Sequence, residues 1–259
     1  MFTSAQPRSG LHVRFVAQPC VVTRSRDVQV SATARPAGRA TLGGGLAIFD
    51  LDRTLIPGSS LVPLGRELMR QGLIRRRVMA RHAAAGAVFE RRGLDDATID
   101  RVQARLLSVL AGRESGPLQS VAEKVGRDLA ARAFLSGRWL LERHRDNRDF
   151  CVILTAAPQE LADAVAVALG AHRAIGTRLE THQGRFTGAI AGVRCHGPGK
   201  LDRLREEVGD VDWTRATAYG DSVSDLPVLE RATFPVTVNP DRRLHAVAVE
   251  RGWPVFHIE

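Results

Sequence analysis

Asp50 and Asp52 stand one residue apart in the stretch Phe49-Asp50-Leu51-Asp52-Arg53-Thr54-Leu55, directly after the apolar run Leu46-Ala47-Ile48-Phe49. A run of that length, bounded by Gly43-Gly44-Gly45 and by Pro57-Gly58, reads as a buried strand. The two acids then lie where a strand opens into a loop, the edge at which open α/β sheets bind ligands. Like charges this close resist joint ionisation unless a cation or a shared proton relieves them. A second acidic pair closes Tyr219-Gly220-Asp221-Ser222-Val223-Ser224-Asp225, again after a short apolar stretch, Ala216-Thr217-Ala218-Tyr219. Between the pairs, Val152-Ile153-Leu154-Thr155 ends on a hydroxyl and Lys200 heads an apparent helix. Each feature alone has a plain structural reading: an Asx turn, a strand-end threonine, a helix-start cation, a helix cap with a first-turn acid. Their order, Asp-x-Asp, Thr, Lys, Gly-Asp-x-x-x-Asp, gives them a joint meaning.

In that order the chain resembles the haloacid dehalogenase superfamily of phosphohydrolases, and within it subclass IB, which contains the phosphoserine phosphatases. The resemblance covers roughly residues 45–259 and carries all four family motifs. It implies a Mg²⁺-dependent phosphomonoester hydrolase working through an aspartyl phosphate. Asp50 would be the nucleophile, and Asp52 the acid and then the base. Thr155 and the amide of Ala156, with Lys200, would hold the phosphoryl group. Asp50, Asp221 and the backbone carbonyl of Asp52 would ligate the metal, with Asp225 and Thr54 in support. Arg53, Ser59 and Ser60 are candidates for substrate contact. Arg53 departs from the small residue common at its position, and its side chain is expected to point away from the phosphate or towards the cap.

The implied fold is a Rossmann-like, doubly wound parallel sheet with an inserted all-helical cap of the C1 type. Residues 1–44 read as a non-essential leader, 45–58 and 149–259 as the core, and 59–148 as the cap. The cap segment shows helical spacing at Leu61, Leu64, Leu68 and Leu73, and again from Ile99 to Leu110, with Asp95-Asp96 as a helix start. A last helix carries Leu129, Phe134, Trp139 and Leu140. From Phe150 strands and helices alternate, with a hairpin around Gln183-Gly184, as a parallel sheet covered on both faces requires.

Composition narrows the rest. The 259 residues suffice for a sizeable core. No apolar run is long enough to span a bilayer, so no stable membrane insertion is expected. Cys20, Cys151 and Cys195 are odd in number and far apart, which fits a reducing, cytoplasmic setting better than a disulfide scaffold. The formal charge of +9 owes much to six arginines against one acid in residues 1–44. Lacking interleaved aromatics, it does not indicate nucleic acid. A basic stretch, Arg75-Arg76-Arg77, Arg81, Arg91 and Arg92, leaves two readings: a solvated face, or attraction to an anionic substrate or acidic lipid. The expected substrate is a small phosphorylated metabolite. The alternatives are a phospholipid head group, phosphoserine itself, or a non-catalytic binding protein on the same fold. Ser59 occupies the position where phosphoserine phosphatases carry the glutamate that pairs the substrate ammonium, so free phosphoserine is expected to be poor.

Overall fold

The computed structural model describes residues 44–74 and 107–258. The basic stretch, the Asp95-Asp96 helix start and residues 1–43 lie outside them. The centre of the fold is β1 (Leu46–Phe49), buried at all four positions. Its alternation divides the core in two. Ala47 and Phe49 join one hydrophobic cluster, while Leu46 and Ile48 join another on the opposite face. Around β1 run β2 (Phe150–Pro158), β3 (Arg173–Thr177), β6 (Ala216–Gly220), β7 (Phe234–Val238) and β8 (Val255–Phe256). All pair parallel, in the spatial order β3-β2-β1-β6-β7-β8. This is the order of a doubly wound sheet, with its switch point beside β1.

Helices cover both faces. On the Phe49 side lie α2 (Gly116–Ala131), α3 (Leu135–Asp146) and α4 (Gln159–Leu169); on the Ile48 side lie α5 (Gly199–Val208), α6 (Leu226–Arg231) and α7 (Arg242–Arg251). Helix α4 stops at Gly170, whose φ of +76° is the left-handed turn expected of a helix end. Helices are present in both described parts of the insert, where α1 (Leu61–Arg70) buries Leu64 and Leu68 and a turn at 107–110 buries Leu110. The expected last helix is two, with Leu129 in α2, Trp139 and Leu140 in α3, and Phe134 extended between them. Helices α2 and α3 also share the cluster of β1 and β2 through Leu118, Val125 and Leu141. Gly126 of α2 lies so close to α4 that an added Cβ would meet that of Ala164 at 2.6 Å. The end of the insert is thus docked on the core.

The expected hairpin is present as β4 (Leu179–His182) and β5 (Arg185–Ile190), paired antiparallel. Gln183 and Gly184 both have positive φ, as a two-residue turn of this hand requires. The hairpin is tied to the insert by backbone bonds, Gly112 N donating to Phe186 O at 2.7 Å and Phe186 N to Arg113 O at 2.9 Å. No described helix is long and apolar enough to cross a membrane.

Candidate active site

Parallel register sets the site. Phe49 is level with Ile153 of β2 and Tyr219 of β6, so Asp50, Thr155 and Asp221 emerge at the same edge of three adjacent strands. Asp50 N donates to Tyr219 O at 2.9 Å, which carries the ladder one residue past β1. Beneath it Phe49 stacks on Tyr219, with centroids 4.6 Å apart and planes at 4°. The Tyr219 hydroxyl meets His144 Nε2 at 2.9 Å, and His144 Nδ1 meets Asp149 at 2.7 Å. This part-buried chain ties α3 to the sheet and stiffens the floor under Asp50.

Lys200, at the first turn of α5, donates to Asp50 Oδ1 at 2.7 Å and to Asp225 Oδ1 at 2.5 Å. The other oxygen of Asp225 accepts the backbone N–H groups of Asp221 (3.0 Å) and Ser222 (3.1 Å), so one carboxylate fixes both the lysine and the β6 loop. Gly220 permits this, since a Cβ there would stand 2.5 Å from that of Asp225. Asp52 turns the other way: its Oδ1 accepts from Ser60 N at 2.9 Å and its Oδ2 from the Ser59 hydroxyl at 3.4 Å. Thr155 accepts from Ala157 N at 3.2 Å, which leaves its hydroxyl hydrogen free to donate.

Burial pushes the Asp50 carboxyl up from 3.8 to about 7 against the pull of Lys200. It raises Asp52 as well, partly offset by the Ser60 and Ser59 hydrogen bonds. Asp221 is raised well above the ordinary range, first by burial and then by the charges of Asp50 and Asp225. Burial alone would pull the Lys200 ammonium down; Asp225 and Asp50 outweigh it and hold the ammonium charged. Negative charge therefore exceeds what Lys200 and Arg53 neutralise. Carboxylate oxygens of Asp50, Asp221 and Asp225 lie within 4.8 Å of one another, all buried. A hard divalent cation with oxygen ligands fits that set.

The structure departs from the sequence reading at two residues, Arg53 and Thr54. Arg53 points neither away from the site nor towards the cap; its guanidinium is ion-paired with Asp221 Oδ2, because that buried carboxylate is the strongest attraction in reach. Ser59 and Ser60, the candidates for substrate contact, lie beside Asp52, which accepts the Ser59 hydroxyl and the Ser60 backbone N–H. Thr54 does not fix the loop through its hydroxyl, which is buried with no hydrogen-bond partner among the described residues. Backbone bonds hold the loop instead, from Leu55 N to Leu51 O at 2.9 Å and from Arg53 N to Ile56 O at 2.8 Å. Two further residues escaped the sequence reading. Asn239 donates to Arg53 O at 3.3 Å, and the N–H of Asp241 donates to Asp221 O at 2.7 Å. Their signal was Asn239-Pro240-Asp241 at the end of β7, a fourth strand terminus at the same edge.

Residues 47–230 match the haloacid dehalogenase-like hydrolase family. A protein of Mycobacterium tuberculosis (strain ATCC 25618 / H37Rv) named a probable phosphatase is 33% identical over 224 residues, 85% of this chain and 78% of that protein. Another from the same strain, named a phosphoserine phosphatase, is 34% identical over 213 residues, 81% of this chain and 69% of that one. Among solved structures, a protein of unknown function from Bordetella pertussis Tohama I superposes with a TM-score of 0.68 at 29% identity, covering 82% of this chain and 97% of that chain. With the match spanning all four motifs and the sheet order in agreement, this chain belongs to the haloacid dehalogenase-like hydrolases.

Proposed function

We propose that this chain, a phosphomonoester hydrolase by family and relatives, works through a phosphoryl group carried on Asp50 and needs Mg²⁺. The observation that carries the reading is the buried Asp50–Lys200–Asp225 chain with Asp221 beside it. Asp50 attacks phosphorus, and the P–O bond to the leaving alkoxide breaks. Asp52, raised by burial and so able to hold a proton, delivers it to that oxygen. Water then attacks phosphorus, Asp52 takes its proton, and the Asp50 carboxylate departs. Lys200 faces the charge that develops on the phosphoryl oxygens, and Asp225 fixes its ammonium. Thr155 and the Ala156 amide orient the same group. Asp50, Asp221 and the Asp52 carbonyl would hold Mg²⁺, which supplies positive charge to the transferring phosphoryl group. Of residues 59–148, α2 and α3 lie on the core, so the role of a cap that excludes bulk water falls to the part of the insert before them.

For the substrate, we favour a small phosphate ester whose recognition needs no carboxylate partner for an ammonium group. No acid lies between Ile56 and Val62, and the nearest in the cap, Glu67, is committed to Arg70 at 2.9 Å and 2.5 Å and to Gln71 at 3.0 Å. A buried ammonium left unpaired is costly. The purified protein should hydrolyse an aryl phosphate with Mg²⁺ and stop on chelation; undiminished hydrolysis under chelation contradicts the metal assignment. In a panel of phosphorylated metabolites and lipids, phosphoserine emerging as the best substrate would overturn the substrate reading.

A further inference from the structure

The basic residue inside the Asp-x-Asp loop has its own geometry. Arg53 takes a left-handed conformation, φ +61°, which is uncommon for a residue with a side chain. Its backbone is held at both ends, N–H to Ile56 O at 2.8 Å and C=O from Asn239 at 3.3 Å. That clamp aims the guanidinium across the mouth of the site onto Asp221 Oδ2, with Asp241 and Asp50 as further negative neighbours. The two hydrogen bonds of Lys200 to carboxylates go to Asp50 and Asp225, so Asp221 receives its neutralising contact from Arg53. The side chain is 35% exposed and has room to leave, whereas Asp221 at 6% has none.

We propose that Arg53 is a built-in counter-ion of the metal site, which occupies Asp221 in the ion-free protein and must release it for a divalent cation to bind. This rests on the proposed assignment of Asp221 as a metal ligand. A guanidinium and a dication on one buried carboxylate repel each other, so the two exchange rather than coexist. The exchange lowers metal affinity by what the ion pair is worth. It also spares the ion-free protein an unpaired charge at Asp221.

The test is Mg²⁺ titration calorimetry on the full chain, with melting temperatures taken with and without saturating Mg²⁺, for wild type, Arg53→Gln and Arg53→Lys. Arg53→Gln is expected to bind Mg²⁺ about five- to tenfold more tightly. It should melt below wild type without metal and together with it when saturated. A merely structural arginine would lower both melting points alike and leave affinity unmoved. Arg53→Lys keeps the charge and loses the guanidinium fork, so its affinity should fall between the two. Should Arg53→Gln not fold, Arg53→Lys carries the test, and an affinity no higher than wild type overturns the inference. Unchanged or weaker binding by a folded Arg53→Gln overturns it alone. A wild-type chain that binds no Mg²⁺ overturns the metal assignment and this inference together.

Discussion

Asp50 bonds to Lys200 through one oxygen, continues the β1 ladder through its N–H, and has a carboxylate oxygen within 4.8 Å of those of Asp221 and Asp225. Lys200→Ala would leave Asp50 and Asp225 buried without a cation, at a cost of about 3–5 kcal/mol. Urea unfolding measures this, and a loss below about 1 kcal/mol would mean the pair is not the buried bridge described. The raised Asp50 carboxyl also sets a pH dependence. Folded and ion-free, it titrates near about 7 against an ordinary 3.8, so between those values the folded state keeps a proton that the unfolded chain has released. Stability without metal should therefore fall as pH rises through that window, and Mg²⁺ should restore it. Glu67, held down to about 2 by its Arg70 and Gln71 hydrogen bonds, acts only below 4.5. Ion-free melting temperatures that rise from about pH 4 to about pH 7 would contradict the assignment. Asp50, Asp52, Thr155, Lys200, Asp221 and Asp225 were legible in the sequence because strand ends, the turns that follow them and, for Lys200, a helix start present them in order. The direction of Arg53 and the parts of Asn239 and Asp241 were not, since each depends on a partner that only the folded sheet brings near.

Elements were legible where one period dominates. The alternation of strands and helices expected from Phe150 onward is present, and the positive-φ pair at Gln183 and Gly184 makes the expected hairpin. Local pattern could not reveal what each element docks against. Helices α2 and α3, written into the sequence as part of an insert, lie against α4 and the loop after β1, where Phe134 N donates to Leu55 O at 2.9 Å. Gly220 belongs to the same class, for its need to be glycine comes from Asp225 on the next turn. Gly220→Ala should force the Asp225 side chain from its place, with a loss of about 1–3 kcal/mol in denaturant unfolding. Because Asp225 holds Lys200, turnover should drop as well; full stability and turnover in that variant would show that the close approach is unimportant.

For the molecule as a whole, we predict that the core needs little from residues 1–43. Gly45 N donates to Asp149 at 2.6 Å, and an added Cβ on Gly44 would meet Arg148 O, so the folded unit is anchored from these glycines onward. A chain shortened to begin at Gly43 should keep the melting temperature and the Mg²⁺-dependent turnover of the full chain; loss of either would move the boundary. The carboxylate excess at the sheet edge suits the cation of the proposed chemistry. Everything in the proposed chemistry passes through one oxygen pair on Asp50. The most direct measurement is turnover of an aryl phosphate by Asp50→Asn, with its fold checked by circular dichroism. The account predicts an intact fold and a loss of about 10³-fold or more; turnover close to wild type in a folded Asp50→Asn would contradict it.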